Sequence, residues 1–159
     1  MNYGATASSP TATSTPHVAK YVLDTVDSCS LVMATQIEQI IKVSVTVQEP
    51  DKINGRYFMN SCNYNPQNGI GGVVVDLNVG QDAASMKSNF DHFLAENSWM
   101  SPKPISGLGD QAFVEQKPFP TVDVLKDNAL LTVSIIHKMD KVAWKDEEIQ
   151  IARIALQSL

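Results

Sequence analysis

The chain has 159 residues, one domain's worth of polypeptide and enough to bury roughly 68–70% of its unfolded surface. Its 12 Lys and Arg against 17 Asp and Glu leave a net charge of −5, which argues against nucleic acid as a partner, because phosphate binding needs a basic face to release counterions. With 43% hydrophobic and 18% charged residues the composition is globular, and no run approaches the ~20 apolar residues of a membrane span.

The first element is a tether. Ala5 to Pro16 is built only from Ala, Ser, Thr and Pro, and no charged side chain lies between Asn2 and Thr15. Such a run cannot bury enough surface to offset about 1–2 kcal/mol of backbone entropy per residue. Residues 1–27 are therefore expected to form a disordered tether with a short lead-in from Val18. Neither a basic n-region nor an apolar h-region opens the chain, so the expectation is that a signal peptide has been removed. In a bacterial lipoprotein, the lipidated cysteine would stand just before Asn2. About 27 flexible residues would span roughly 30 Å.

Cys29 and Cys62 are the only cysteines, and they lack CxxC spacing. Zinc would want four ligands, and His17, His92 and His137 fall on separate elements, so no metal and no cofactor are expected. Two reduced buried thiols are one reading. A structural disulfide in an oxidising compartment is the favoured one, since it would staple the start of the domain to an early strand. Closing a ring of about 33 residues would stabilise the fold by roughly 3.5–4 kcal/mol.

A single domain is expected over residues 28–159. Thr35-Gln36-Ile37-Glu38 reads as a capping box, with Thr35 as N-cap and Glu38 reaching back, and it opens a short helix ending near Lys42. Val43, Val45 and Val47 alternate with polar residues as a half-buried strand does, up to Pro50. Arg56 to Tyr64 reads as a second strand, followed by a turn-rich Asn65 to Gly69. Val73, Val75, Leu77 and Val79 form a third, with Asp76 and Asn78 on its other face. Asp82 opens the clearest helix, in which Ala83, Met86, Phe90, Phe93 and Leu94 keep helical spacing to about Glu96. Trp99 to Pro104 reads as a loop, and Gly107-Leu108-Gly109-Asp110 as a turn with positive φ at one or both glycines. Strands follow at Ala112 to Glu115, Val122 to Lys126 and Ala129 to His137, the last two joined by the two-residue turn Asp127-Asn128. A final helix starts near Lys145, with Asp146, Glu147 and Glu148 in its first turn, where the dipole favours acids. The order α-β-β-β-α-β-β-β-α predicts an α+β fold, an antiparallel sheet of about six strands with helices packed over it. Its analogue is the PsbP/Mog1 type of sandwich.

The order of Cys29-Ser30-Leu31-Val32, Cys62-Asn63-Tyr64, the run from Pro104 through Gly107-Leu108-Gly109-Asp110 to Ala112, the hairpin from Val124 to Val133 and a terminal Ala-rich helix resembles an uncharacterised family of secreted proteins and lipoproteins. That family is domain-of-unknown-function family 3558, known mostly from actinobacteria. The resemblance covers Cys29 to Leu159. It implies a disulfide between the two cysteines and a Ser/Thr/Pro/Ala spacer behind a lipid anchor; no activity is established for the family. This chain departs from the pattern in its preference for Lys over Arg and in its Asn-rich loops.

No HExxH, GxSxG, SxxK or Walker sequence is present. Asp91 and His92 point about 100° apart on their helix and cannot share a site. No catalytic residue is assigned. The expected function is a non-catalytic, envelope-tethered binding or accessory module outside the cytoplasm, or a periplasmic inhibitor or immunity-like protein that occludes an enzyme. A hydrolase with a site assembled from distant residues is the competing class. The candidate partner surface comprises Asn63, Tyr64 and Asn65, in a polar segment between Asn60 and Gly72, with Trp99, Met100 and Phe119, large apolar groups beside loop prolines. The expected partner is a protein or a cell-wall component, with membrane contact only through the anchor.

Overall fold

The computed structural model describes residues 19–22, 24–57, 59–69, 71–115, 120–136 and 144–159; the expected tether up to Val18, and Phe119 and His137, lie outside them. Ordered packing begins earlier than residue 28. Tyr21 is buried, its N–H donates to Asn128 Oδ1 (2.9 Å) and its carbonyl accepts from Asn128 Nδ2 (2.8 Å). Asp27 then caps a 3-10 turn, Ser28–Ser30, by accepting from the Cys29 N–H.

Helix α1 (Ala34–Ile41) starts one residue before the expected cap. Thr35 lies inside it and Met33 is the N-cap, so only one arm of a capping box forms: Gln36 Oε1 accepts from the Met33 N–H (2.9 Å). Glu38, expected to reach back, instead accepts from the Val45 N–H (2.9 Å), and Lys42 closes the helix in the left-handed region. The chain thus turns directly into β1 (Val45–Gln48), where only Val45 is buried.

The strand expected over residues 56–64 is two pieces. A small hairpin, β2 (Lys52–Ile53) and β3 (Arg56–Tyr57), precedes β4 (Ser61–Pro66). Asn60 makes the break: its amide Nδ2 donates to Val26 O (2.7 Å) and its Oδ1 accepts from the Ser28 N–H (2.9 Å). The β5 strand (Gly72–Val79) and α2 (Ala83–Glu96) match expectation, and Asp82 caps α2 by accepting from the Ser85 N–H (2.7 Å). The expected loop at residues 99–104 holds a 3-10 turn (Ser98–Met100) and a short strand, β6 (Lys103–Pro104). Pro104 lacks a donor, which suits the sheet edge that β6 occupies. Strands β7 (Gln111–Glu115), β8 (Thr121–Lys126) and β9 (Ala129–Ile136) lead to α3 (Lys145–Ser158).

The fold is α+β. Seven antiparallel strands lie in the order β1-β4-β5-β9-β8-β7-β6, with β2 and β3 paired separately. Period-two alternation sends Val73, Val75 and Leu77 of β5, Val122 and Val124 of β8, and Leu131 and Val133 of β9 to one face. There they pack with Ile37 of α1 and Ile151, Ala152 and Ala155 of α3. Each buried Val, Leu or Ile contributes roughly 1.5–3 kcal/mol. Helix α2 crosses the opposite face over β7, β8 and β9, seating Met86 and Phe90 on Leu125 beside Phe113 and Leu130. The rest of that face sets up the site.

Candidate functional site on the open face of the sheet

Alternation also decides what the second face shows. There β4 presents Ser61, Asn63 and Asn65, β5 presents Asp76 and Asn78, and β9 presents Thr132 and Ser134; all are half-buried or exposed. Asp76 lies across from Thr132, which lies across from Asp123 on β8, so three strands carry one polar rung.

Over this rung opens a cavity of about 360 Å³. Its floor is Asp76, Asn78 and Thr132, and its walls are Asp24, Tyr57 and Met59. The disulfide between Cys29 and Cys62 joins the Ser28–Ser30 turn to β4. Together with the Asn60 bonds to Val26 and Ser28, it holds the segment bearing Asp24 against the sheet. Asp24 adopts a positive φ (64°), its Oδ1 accepts from the Tyr57 N–H (3.2 Å), and its Oδ2 lies 3.9 Å from Nε of the exposed Arg56. Lys52 Nζ sits over the Tyr57 ring, 4.2 Å from its centroid. A second hollow of about 190 Å³ shares Met59 and takes in Glu49, Asp51, Ser61 and Asn63.

The electrostatics are one-sided. Among the described residues no side-chain hydrogen bond or ion pair engages the Asp76 carboxylate. Asp123 is buried beside the floor, one strand beyond Thr132; its Oδ1 accepts from Thr132 Oγ1 (2.6 Å), and its Oδ2 has no partner. Burial pushes Asp123 up to about 6, Thr132 pulling against this and the Asp76 charge adding to it. Burial likewise pushes Glu115 up to about 7, with help from Asp123. No group of three His, Cys, Asp or Glu among the described residues is arranged to hold a metal ion. What the arrangement does offer is a wall of oxygen acceptors beside an aromatic ring and a thioether.

Of the expected partner residues, Asn63 and Asn65 belong to this face. Tyr64 does not: it points to the opposite side, is 1% exposed, and donates its hydroxyl to Val32 O. Trp99 is 59% exposed and Met100 half-buried, in the turn before β6. Five strand spacings separate β4 from β6, roughly 24 Å, so the polar and apolar candidates form two surfaces and not one. Asp24, Asp123 and Thr132 were missed by motif reading. A signal existed for the last two, because Asp123, Thr132 and Asp76 are polar residues at alternate positions in central strands.

The fold and the cavity define a small disulfide-stapled α+β domain with an acceptor-lined cleft. No family model, curated protein or solved structure matches the chain.

Proposed function

We propose that this protein is a non-catalytic binding or accessory module that works outside the cytoplasm, tethered at the cell envelope, and engages a protein partner through the open face of its sheet. The observation that supports this most is the uneven covering of the sheet: α1 and α3 bury one face, while α2 leaves the β4 and β5 side of the other open around a cleft. Clefts with a few converging polar groups are the usual recognition sites of small domains. The disulfide is compatible with an oxidising compartment.

The reading is tested by a photo-crosslinking side chain placed in the full chain in cells. Positions Asn65 and Asn78 on the open face should each give one discrete adduct, and Arg153 on the exposed side of α3 should give none. Adducts from Arg153 alone, or from no position, refute it. So does substrate turnover by the purified domain that is abolished, without unfolding, by alanine at a titratable cleft residue.

A further inference from the structure

We propose that the cavity over Asp76 receives the cationic head of a lysine or arginine side chain from a protein partner. This rests on the open-face reading above and specifies its chemistry. Hydrogen-bond accounting gives the first reason. The Thr132 hydroxyl proton is committed to Asp123, so the oxygen turns only lone pairs toward the cavity. The Asn60 amide is held at both ends, by Ser28 and Val26. Asp76 is an unpaired acceptor, and the amide of Asn78 can turn its oxygen inward. A floor of this kind complements a ligand rich in donors.

Charge gives the second reason. Asp24 and Asp76 line the cavity from two segments, and Asp123, buried with one oxygen unpartnered, stands beside them in hydrogen bond with Thr132 of the floor. Among the described residues, the cations in contact with lining residues, Arg56 and Lys52, stand on the exposed hairpin at the rim, with the Arg56 side chain 81% exposed. The half-buried Asp76 carboxylate, with the buried Asp123 one strand beyond Thr132, leaves negative charge at the floor that an incoming cation offsets.

Shape gives the third. Tyr57 and Met59 supply an aromatic and an apolar surface for an alkyl stem, and about 360 Å³ suits one long side chain rather than a folded peptide. The Tyr57 ring already holds an ammonium group, that of Lys52, on one of its faces. A bare metal ion fits less well, because the carboxylates do not converge as ligands.

Amide shifts of the intact, oxidised protein provide the test. N-acetyl-arginine amide and N-acetyl-lysine amide should move the Asp76, Asn78 and Thr132 signals with millimolar affinity, and N-acetyl-glutamine amide should not. Asp76→Asn should weaken the cationic probes at least fivefold, and Asp146→Asn on α3 should not weaken them. Thr132→Val should weaken them too, which keeps the test open if Asp76→Asn folds poorly. Absence of shifts at saturating probe, or unchanged affinity in both cleft variants, overturns the proposal. Calcium or magnesium chloride moving the same signals at lower concentration also overturns it. Cadaverine binding tenfold tighter than the amino-acid probes would assign the site to free diamines and overturn the protein side chain. If the probes fail while the Asn65 and Asn78 adducts persist, only the cation assignment falls.

Discussion

Two glycines two positions apart show how a single residue's surroundings set its tolerance. Gly107 and Gly109 both hold positive φ (72° and 59°), flanking the buried Leu108. A Cβ on Gly107 would meet nothing within 4 Å, whereas one on Gly109 would stand 2.5 Å from both Leu125 O and Val124 Cγ1. Gly107→Ala therefore carries only backbone strain, about 1 kcal/mol, while Gly109→Ala adds a clash and is expected to cost at least about 2–3 kcal/mol. Urea midpoints of the two variants check the difference. The Gly-Leu-Gly-Asp turn was legible in the sequence; which glycine is the crowded one depends on β8 and was not. Tyr64 failed differently. Counted as one polar stretch, residues 60–72 look like a surface loop, yet the alternation of Cys62, Tyr64 and Pro66 already assigns those three to the buried side of a strand.

Between elements, the link from α3 to β9 is made by a carboxyl group. Glu148 is buried in the first turn of α3 and accepts from the Ile135 N–H (3.0 Å) at the end of β9. Burial pushes it up to about 7, opposed by that bond and reinforced by Glu147 and Asp123. An acid whose folded pKa lies above its unfolded value near 4.5 holds its proton more tightly when folded. Its contribution is full below about pH 4.5 and is lost as pH rises through 7. Glu148→Gln resembles the protonated acid and keeps the acceptor for Ile135. It should match the parent at pH 4 and exceed it by on the order of 1–3 kcal/mol at pH 8, as read from urea midpoints at the two pH values. The sequence marked Glu148 as a helix-start acid, which is its position, but burial comes from the strands that it faces. Helix α2 was legible almost to the residue because Asp82 is a strong cap and the apolar spacing is unbroken. The β2–β3 hairpin was not, because two-residue strands carry too few alternations to register, and the Asn60 side chain, not the backbone pattern, ends the run.

For the whole molecule, the staple between Cys29 and Cys62 spans a sequence separation of 33. Replacing both cysteines with alanine should cost roughly 3–4 kcal/mol in urea unfolding, and reductant should have no further effect on that variant. A parent protein equally stable with and without reductant would contradict this. The α+β class could be read because hairpin-length connections imply antiparallel pairs; the pairing of β5 with the sequence-distant β9, which joins the two halves of the sheet, could not. The cleft could not, because its parts come from positions 24, 57, 59, 60, 76–79 and 132, and only the folded sheet makes them neighbours.

The same bond turns the chain from Cys29 to Cys62 into a closed covalent ring that carries α1, β1 and the β2–β3 hairpin. Its hairpin tip, Asn54 and Gly55, is exposed and turns through positive φ, the kind of place where a protease cuts first. A cut there opens the ring without parting the molecule. The two pieces stay bonded through sulfur and migrate as one species until reduced, so the rim of the cleft can be nicked and the wall that bears Asp24 still held to the sheet.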